Sequence, residues 1–472
     1  MDFSRFSNIV NGLPRDSKAT YHGTNPATGE ALYDVPCASE QDLDDAVASA
    51  HKAFASWSKT DFEQRCRLVK DFAQAFLSYE APMKDLLMKE TGKPRYMADI
   101  EIRGSYASMI GTTTWTLPVE TIEDDTKSAT VRYVPLGVVG AICPWNFPLS
   151  LSLSKIAPAL VAGCCVIVKP SPFTPYTTLK AVEIGHSLFP PGVLQVLGGD
   201  DKLGPRMVSH PDIQKISFTG SIPTGKKIME VAARTLKRVT LELGGNDAAI
   251  VCPDVDIEKT APAVVQAAFA NSGQICVNSK RIYVHESIYK PFLSAMASVV
   301  KKMKVGDPFD EPIDLGPIQN SMQFDKVQEY FADCEEKGYE FVTGRRECRP
   351  AKGKGFFVQP TIIANPPNNS RVMAEEPFGP IVPVQPWSDE ADVIERTNDT
   401  NTGLGASVWA KDVERAERIA RQLDVGSIYI NSPSRPDWRV YFSGHKESGI
   451  GGERGLQGLL AYCNAQAVHI YK

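Results

Sequence analysis

From residue 136 the chain alternates short apolar runs with helical patterns. They read "LGVVGAIC", a helix near 149–162, "CCVIV", a helix near 176–188, "VLQVLG", a short helix, "KISF", a helix near 223–234, and "RVTLEL". No other feature limits the fold as much. Runs that are apolar on both faces must be covered on both faces, so the alternation predicts a parallel sheet with helices on either side and ligand-binding residues just beyond the strands' carboxyl ends. A second alternation starts near "DAAIV" at 247–251 and ends near "GSIYIN" at 426–431, which predicts a second α/β domain.

Ahead of these sections, "SEQDLDDAVASAHKAFASWSK" places Leu43, Ala46, Val47, Ala50, Ala53 and Phe54 at helical spacing after a Ser39 cap. Helical patterns continue to about residue 93, and this part is expected to carry no chemistry. The segments "TIEDDTKSATVRYVPLG" and "YCNAQAVHIYK" are strand-like and lie outside either alternation; extended edges of that kind often pair between subunits. The longest apolar run, "IAPALVAGCCVIV", is too short for a membrane span of ~20 residues and reads as a buried helix followed by a buried strand.

The start, "MDFSRFSNIVNGLPRDSK", lacks the apolar core of a secretory signal. Ten cysteines without a CxxC pair suggest neither a disulfide framework nor a zinc site, and seven scattered histidines lack ligand spacing. A reducing cytoplasm and no metal are expected. A net charge of −5 with interspersed signs offers no basic stripe, which excludes nucleic acid and anionic membranes as expected partners.

The chemistry-bearing residues follow the strands. After "CCVIV" comes "KPSPFTP", where Lys169 is either a nucleotide-binding lysine or a solvated turn residue. After "LGVVGAIC" comes "PWNFP", whose Asn146 could donate to an oxyanion or merely form the turn. "TGSIPTG" sets Gly220 and Gly225 at a helix start, where unpaired N–H groups and the helix dipole favour a diphosphate, although paired glycines there are more often a tight turn. In "LELGGND", Glu242 ends an apolar strand, where a carboxylate is costly without a role or a partner. In "NSGQICVNSK", Cys276 is by itself more often packing than nucleophile.

The order of these segments, with "TNPATGE", "EEPFGP" and "FSGHKESGIGGERG", resembles the aldehyde dehydrogenase superfamily along nearly the whole chain. The resemblance implies an α/β fold of the aldehyde dehydrogenase type: a Rossmann-type nucleotide-binding domain (1–116 and 136–245), an α/β catalytic domain (246–430), and a small β oligomerisation element (117–135 and 456–472). Residues 431–455 would form a substrate-entrance loop and the return to the nucleotide domain. It implies Cys276 as nucleophile, Asn146 with the Cys276 N–H as oxyanion donors, Glu242 as base for deacylation, and Lys155 with Glu453 as its proton relay.

For the cofactor the resemblance implies Glu376 on the nicotinamide ribose, Phe378 against the nicotinamide, and Lys169, Ser171, Ser221 and the Gly220–Gly225 turn on adenosine and diphosphate. Ile142, Cys143, Trp145, Pro172 and Leu243 complete that set. Pro172 stands where many NAD-preferring relatives carry glutamate, so both NAD and NADP are expected. Phe147, Leu151, Trp438 and Phe442 suggest an apolar substrate pocket, with Arg435 and Arg439 available for a carboxylate. Asn246 replaces the commonest lysine, a change expected at the surface. The implied activity is NAD(P)-dependent oxidation of an aldehyde to a carboxylic acid by a homodimer or homotetramer. A CoA-acylating dehydrogenase is disfavoured by Glu242, and a non-catalytic binding relative by the intact Cys276, Glu242 and Asn146.

Overall fold

The computed structural model describes residues 1–310, 312–344 and 355–472. Its first sheet has eight strands in the order Leu13–Arg15, Asn8–Val10, Leu194–Val196, Cys165–Lys169, Val138–Ile142, Lys215–Thr219, Arg238–Glu242, Gly449–Ile450. The five strands anticipated between 136 and 242 are mutually parallel. Strand order reverses between Val138–Ile142 and Lys215–Thr219, and a doubly wound sheet opens a crevice at such a point. The register sets Ile142 beside Lys169 and Phe218, and Thr219 beside Glu242, so residues far apart in sequence finish at one end of the sheet.

The helices form where expected. Ser39 caps Glu40–Trp57 with a reciprocal pair, its hydroxyl accepting from Asp42 N while Asp42 accepts from Ser39 N. The apolar run from residue 156 becomes the end of the helix Pro148–Ala162 and the strand Cys165–Lys169, both buried in the core of the first sheet. Among the described residues no helix is long and apolar enough to cross a membrane.

The second sheet has seven strands in the order Glu340–Phe341, Thr361–Ala364, Ile381–Trp387, Arg281–His285, Ala248–Val251, Gly405–Trp409, Ser427–Ile430. All its pairings but that of Glu340–Phe341 are parallel, as the second alternation predicts. A separate antiparallel sheet joins Cys463–Tyr471, Lys127–Pro135 and Glu120–Glu123.

Two local features differ from the sequence reading. Residues 455–460 form a helix, with Leu459 and Tyr462 in the first core, so the strand of the small sheet begins at Cys463. The opening residues supply two strands of three residues each, of which Leu13–Arg15 forms the sheet edge, too short for a period of two to reveal.

Candidate active site

A cleft of ≈ 1300 Å³ opens at the carboxyl end of the first sheet and extends beneath the second. Cys276 reaches it on a loop held by unusual backbone. Asn271, Ser272 and Gly273 have φ of 52°, 57° and 76°, three successive left-handed residues that L side chains adopt at a cost. The Ser272 hydroxyl offsets part of that cost by donating to Gly316 O at 2.7 Å. Gly273 is required for a second reason: a Cβ there would stand 2.1 Å from Gly379 O, where the "EEPFGP" segment crosses.

The Cys276 thiol donates to Glu242 Oε1 at 3.6 Å. Burial pushes the thiol pKa well above that of a free cysteine, and the Glu242 carboxylate adds to the rise. Burial also raises Glu242, with Glu453 adding and Lys155 opposing. Beyond Glu242 runs a buried chain of polar groups. The Thr219 hydroxyl donates to Glu242 Oε2 at 3.2 Å and accepts from Lys155 Nζ at 2.8 Å, while Lys155 forms an ion pair with Glu453. Glu453 also accepts from Ser217 at 3.3 Å and Ser154 at 3.4 Å; burial acts to raise its carboxyl, but Lys155, Arg454 and Ser217 together hold it below the usual range.

Asn146 is 8% exposed, and its Nδ2 donates to Gln274 O at 3.0 Å, which joins its turn to the loop that carries Cys276. Gln274 in turn bonds Asn271 O at 3.0 Å and accepts from Gln319 N at 2.9 Å.

On the other side of the cleft lie Ile142, Cys143, Trp145, Lys169, Ser171 and Pro172 from the central strand ends, and Gly220, Ser221 and Leu243 from the next two. Gly225 lies behind this wall, where a Cβ would stand 2.6 Å from the Leu243 side chain. Ser221 is the N-cap residue of the helix Ile222–Ala232, but its hydroxyl pairs with Thr224 Oγ1 at 2.9 Å and does not cap, so the first N–H groups face the cleft without a side-chain acceptor. Burial lowers the pKa of the Lys169 ammonium. Glu376 and Phe378 enter from the second sheet, with the Phe378 ring edge-on to Trp145 at 5.3 Å.

The sequence profile of the aldehyde dehydrogenase family matches residues 13–468. The chain belongs to the aldehyde dehydrogenase family. It is 45% identical over 472 residues to an aldehyde dehydrogenase of a Fusarium species, covering the full length of both. It is 36% identical over 446 residues to a mitochondrial succinate-semialdehyde dehydrogenase of rice, covering 93% of this chain and 84% of the relative. Among solved structures, an NAD+ complex of a Bacillus cereus aldehyde dehydrogenase superimposes with TM-score 0.96 at 32% identity, covering 99% and 96% of the two chains. Betaine aldehyde dehydrogenase of Staphylococcus aureus, solved with NAD+, gives TM-score 0.95 at 30% identity over 98% and 94%.

In this aldehyde dehydrogenase the four apolar pocket candidates are divided. Leu151 lines the cleft, and Phe442 is buried at 4% exposure in a small cluster packed against Ile275 and Cys276. The Phe147 ring lies under the Lys93 ammonium at 3.9 Å. Trp438 packs on Gly111, where a Cβ would stand 2.2 Å from the indole. Arg439 is solvent-exposed and pairs with Asp437 through Nε and Nη2. Arg435 is exposed.

Two sequence expectations need correction. Asn246 is buried at 3% exposure instead of lying at the surface, and its amide donates to Met373 O at 2.8 Å beside the cleft. The N-terminal helical part is not remote from the chemistry either. Lys93 and Glu101 form a fully buried ion pair; Lys93 Nζ donates to Asn146 O at 3.0 Å, and Glu101 accepts from Leu149 N at 3.0 Å and Ser150 N at 3.1 Å. The pair fixes the Asn146 turn and the helix that follows. In sequence, both look like solvated helix charges. Thr219 lay inside a recognised motif, and only the strand register singles it out.

Proposed function

We propose that this enzyme oxidises an aldehyde to a carboxylic acid through a covalent intermediate on Cys276, with Glu242 as the base. The observation that carries the reading is the 3.6 Å approach of the Cys276 thiol to the Glu242 carboxylate in the cleft. Glu242 takes the thiol proton as sulfur attacks the aldehyde carbon and releases it by way of Thr219, Lys155 and Glu453 before deacylation, while Asn146 Nδ2 with the Cys276 N–H stabilises the oxyanion. A nicotinamide dinucleotide held in the cleft would supply the hydride acceptor, and loss of hydride from the thiohemiacetal carbon would leave a thioester on Cys276. Glu242 then takes a proton from the attacking water, the thioester C–S bond breaks, and the proton passes by way of Thr219, Lys155 and Glu453.

The residues present fit that cofactor. The N–H groups of the helix Ile222–Ala232 suit a diphosphate, Lys169 suits ribose hydroxyls or a phosphate, and Glu376 suits the second ribose. NAD is supported by the NAD+ complexes of the structural relatives. Use of NADP as well is supported by Pro172, which puts no carboxylate beside Lys169. The small antiparallel sheet exposes Ile122, Val468, Ile470 and Tyr471, which supports assembly into a homodimer or homotetramer. The nine described cysteines are all free, which suits a reducing compartment such as the cytoplasm.

The test is NADH production with a panel of aliphatic, aromatic and carboxylated aldehydes, for wild type and Cys276→Ala. Wild type should turn over without CoA, and Cys276→Ala should lose both turnover and labelling by iodoacetamide at that position. Near-normal turnover of Cys276→Ala would overturn the assignment.

A further inference from the structure

Lys280 lies four positions beyond the nucleophile, just before the strand Arg281–His285, with its side chain 5% exposed. Its ammonium donates to Cys276 O at 2.5 Å and to Ile275 O at 3.0 Å, and is paired with Glu376 Oε1 at 3.0 Å. The two carbonyls take two of its N–H groups, and Glu376 Oε1 faces the ammonium as an ion pair without a well-formed hydrogen bond. The other Glu376 oxygen lies against Gly244, where a Cβ would come within 2.2 Å of it, and both residues line the cleft. One side chain therefore joins the backbone of the nucleophile to a carboxylate on the cofactor side.

Two carbonyl oxygens could be tied by a neutral amide. Burying an ammonium is far more costly, and it is repaid only where a carboxylate or a developing negative charge needs it. Both are present here. The ionisable groups acting on the Cys276 thiol are Glu242 and Asp247 from the "LELGGND" segment, Glu376 from the second sheet, and Lys280. Tyr429, itself influenced by Arg454, also interacts electrostatically with the thiol. Within the first four, Lys280 is the cation, and the three carboxyl groups oppose the thiolate. Lys280 also acts on Asp247, whose oxygens have no well-formed hydrogen bond and are closed in by Gly245 and Gly405, where a Cβ at either would stand 2.5 Å away.

We propose that Lys280 is a positioning residue that couples cofactor occupancy to the nucleophile, holding the Cys276 carbonyl and the Glu376 carboxylate with a single ammonium. The proposal rests on the reading of Cys276 as nucleophile and of Glu376 as a cofactor-holding group. A ligand that engages Glu376 changes the charge balance at the thiol through Lys280, and by linkage the state of the thiol changes the affinity for that ligand.

The test uses the full enzyme and two readouts: the pH dependence of iodoacetamide alkylation at Cys276, followed by mass spectrometry, and the dissociation constant of NAD, followed by tryptophan fluorescence. Lys280→Met should move the alkylation midpoint to higher pH by about one unit, slowing the reaction at pH 8 roughly tenfold. It should also weaken NAD binding by roughly tenfold. Glu376→Gln should weaken NAD similarly, and the double variant should bind no worse than Glu376→Gln alone, because the two residues act as one unit. Lys280→Arg, which keeps the charge, should recover most of both effects and shows whether loss of folding confounds the methionine variant.

A lowered melting temperature with unchanged alkylation midpoint and unchanged NAD affinity would make Lys280 a structural tether and overturn the proposal. So would additive losses in the double variant, or a shift in only one of the two readouts. A wild-type enzyme that resists alkylation at Cys276 or does not bind NAD would overturn the functional reading beneath it, and is distinguished by appearing before any substitution is made.

Discussion

Thr219 and Glu242 are register partners on adjacent parallel strands, and the threonine hydroxyl donates to the glutamate at 3.2 Å. The same hydroxyl accepts from the Lys155 ammonium, so one oxygen connects the candidate base to the buried Lys155–Glu453 pair. Thr219→Val removes that connection while keeping shape and ion pair. Turnover should fall by on the order of tenfold or more, the initial burst of NADH should remain, and stability should drop by only ~1–2 kcal/mol. By contrast, Lys155→Met strands a buried carboxylate and should cost roughly 3–5 kcal/mol, visible as a lowered melting temperature. Equal losses of stability in both variants would show that Thr219 is only a packing residue.

Glu242→Gln should slow steady-state turnover by roughly 100-fold and slow the burst of NADH much less, because a thiolate can form without this base whereas water attack on the thioester needs it. The substitution also removes a negative charge beside the thiol, so alkylation of Cys276 should begin at lower pH than in wild type. Stopped-flow absorbance and timed labelling read the two effects separately. An alkylation profile identical to that of wild type would contradict the short Cys276–Glu242 approach.

Pro172 lines the cleft with Lys169, and the proposed tolerance of both cofactors rests on it. A glutamate there would repel a 2′-phosphate; two like charges ~4 Å apart in a partly wet site cost a few kcal/mol. Wild type should use NAD and NADP with kcat/KM values within roughly 100-fold of each other. Pro172→Glu should depress NADP use more than NAD use in steady-state kinetics at one saturating aldehyde. Wild-type rejection of NADP by more than about 1,000-fold would assign the discrimination to another group.

Asp247 gives the stability curve a definite sign. Burial raises its pKa from 3.8 to about 7 in the folded chain, so the folded state holds a proton that the unfolded state has released. Its contribution is fully present below pH 3.8 and is lost as pH rises through about 7. Asp247→Asn does not ionise, so its melting temperature relative to wild type should rise between pH 5 and pH 8, by ~2–5 °C for a few kcal/mol in a chain of this size. Melting curves at the two pH values check it; a difference that stays constant or falls would mean that the group is ionised throughout.

The sequence determined the two parallel sheets and the place of the chemistry. Apolar strands alternating with helices admit few arrangements, and residues just past strand ends in such a sheet lie at its ligand edge whatever the rest of the chain does. Glu242 and Asn146 stood out for that reason, whereas Cys276, which precedes a strand instead of following one, was singled out only by the resemblance that the ordered motifs carry. Tertiary structure decided which charged residues serve the site. Lys93, Glu101, Asp247 and Lys280 carry side chains that sequence patterns assign to a solvated surface, yet they are buried here, where each charge must find a partner or change its protonation. Burial of that kind depends on which distant segment covers a residue. The "PWNFP" turn covers Lys93, the "EEPFGP" segment meets Lys280, and the edge strand Gly449–Ile450 pairs beside Glu242. These contacts span dozens to hundreds of positions, so no local period or spacing in the sequence records them.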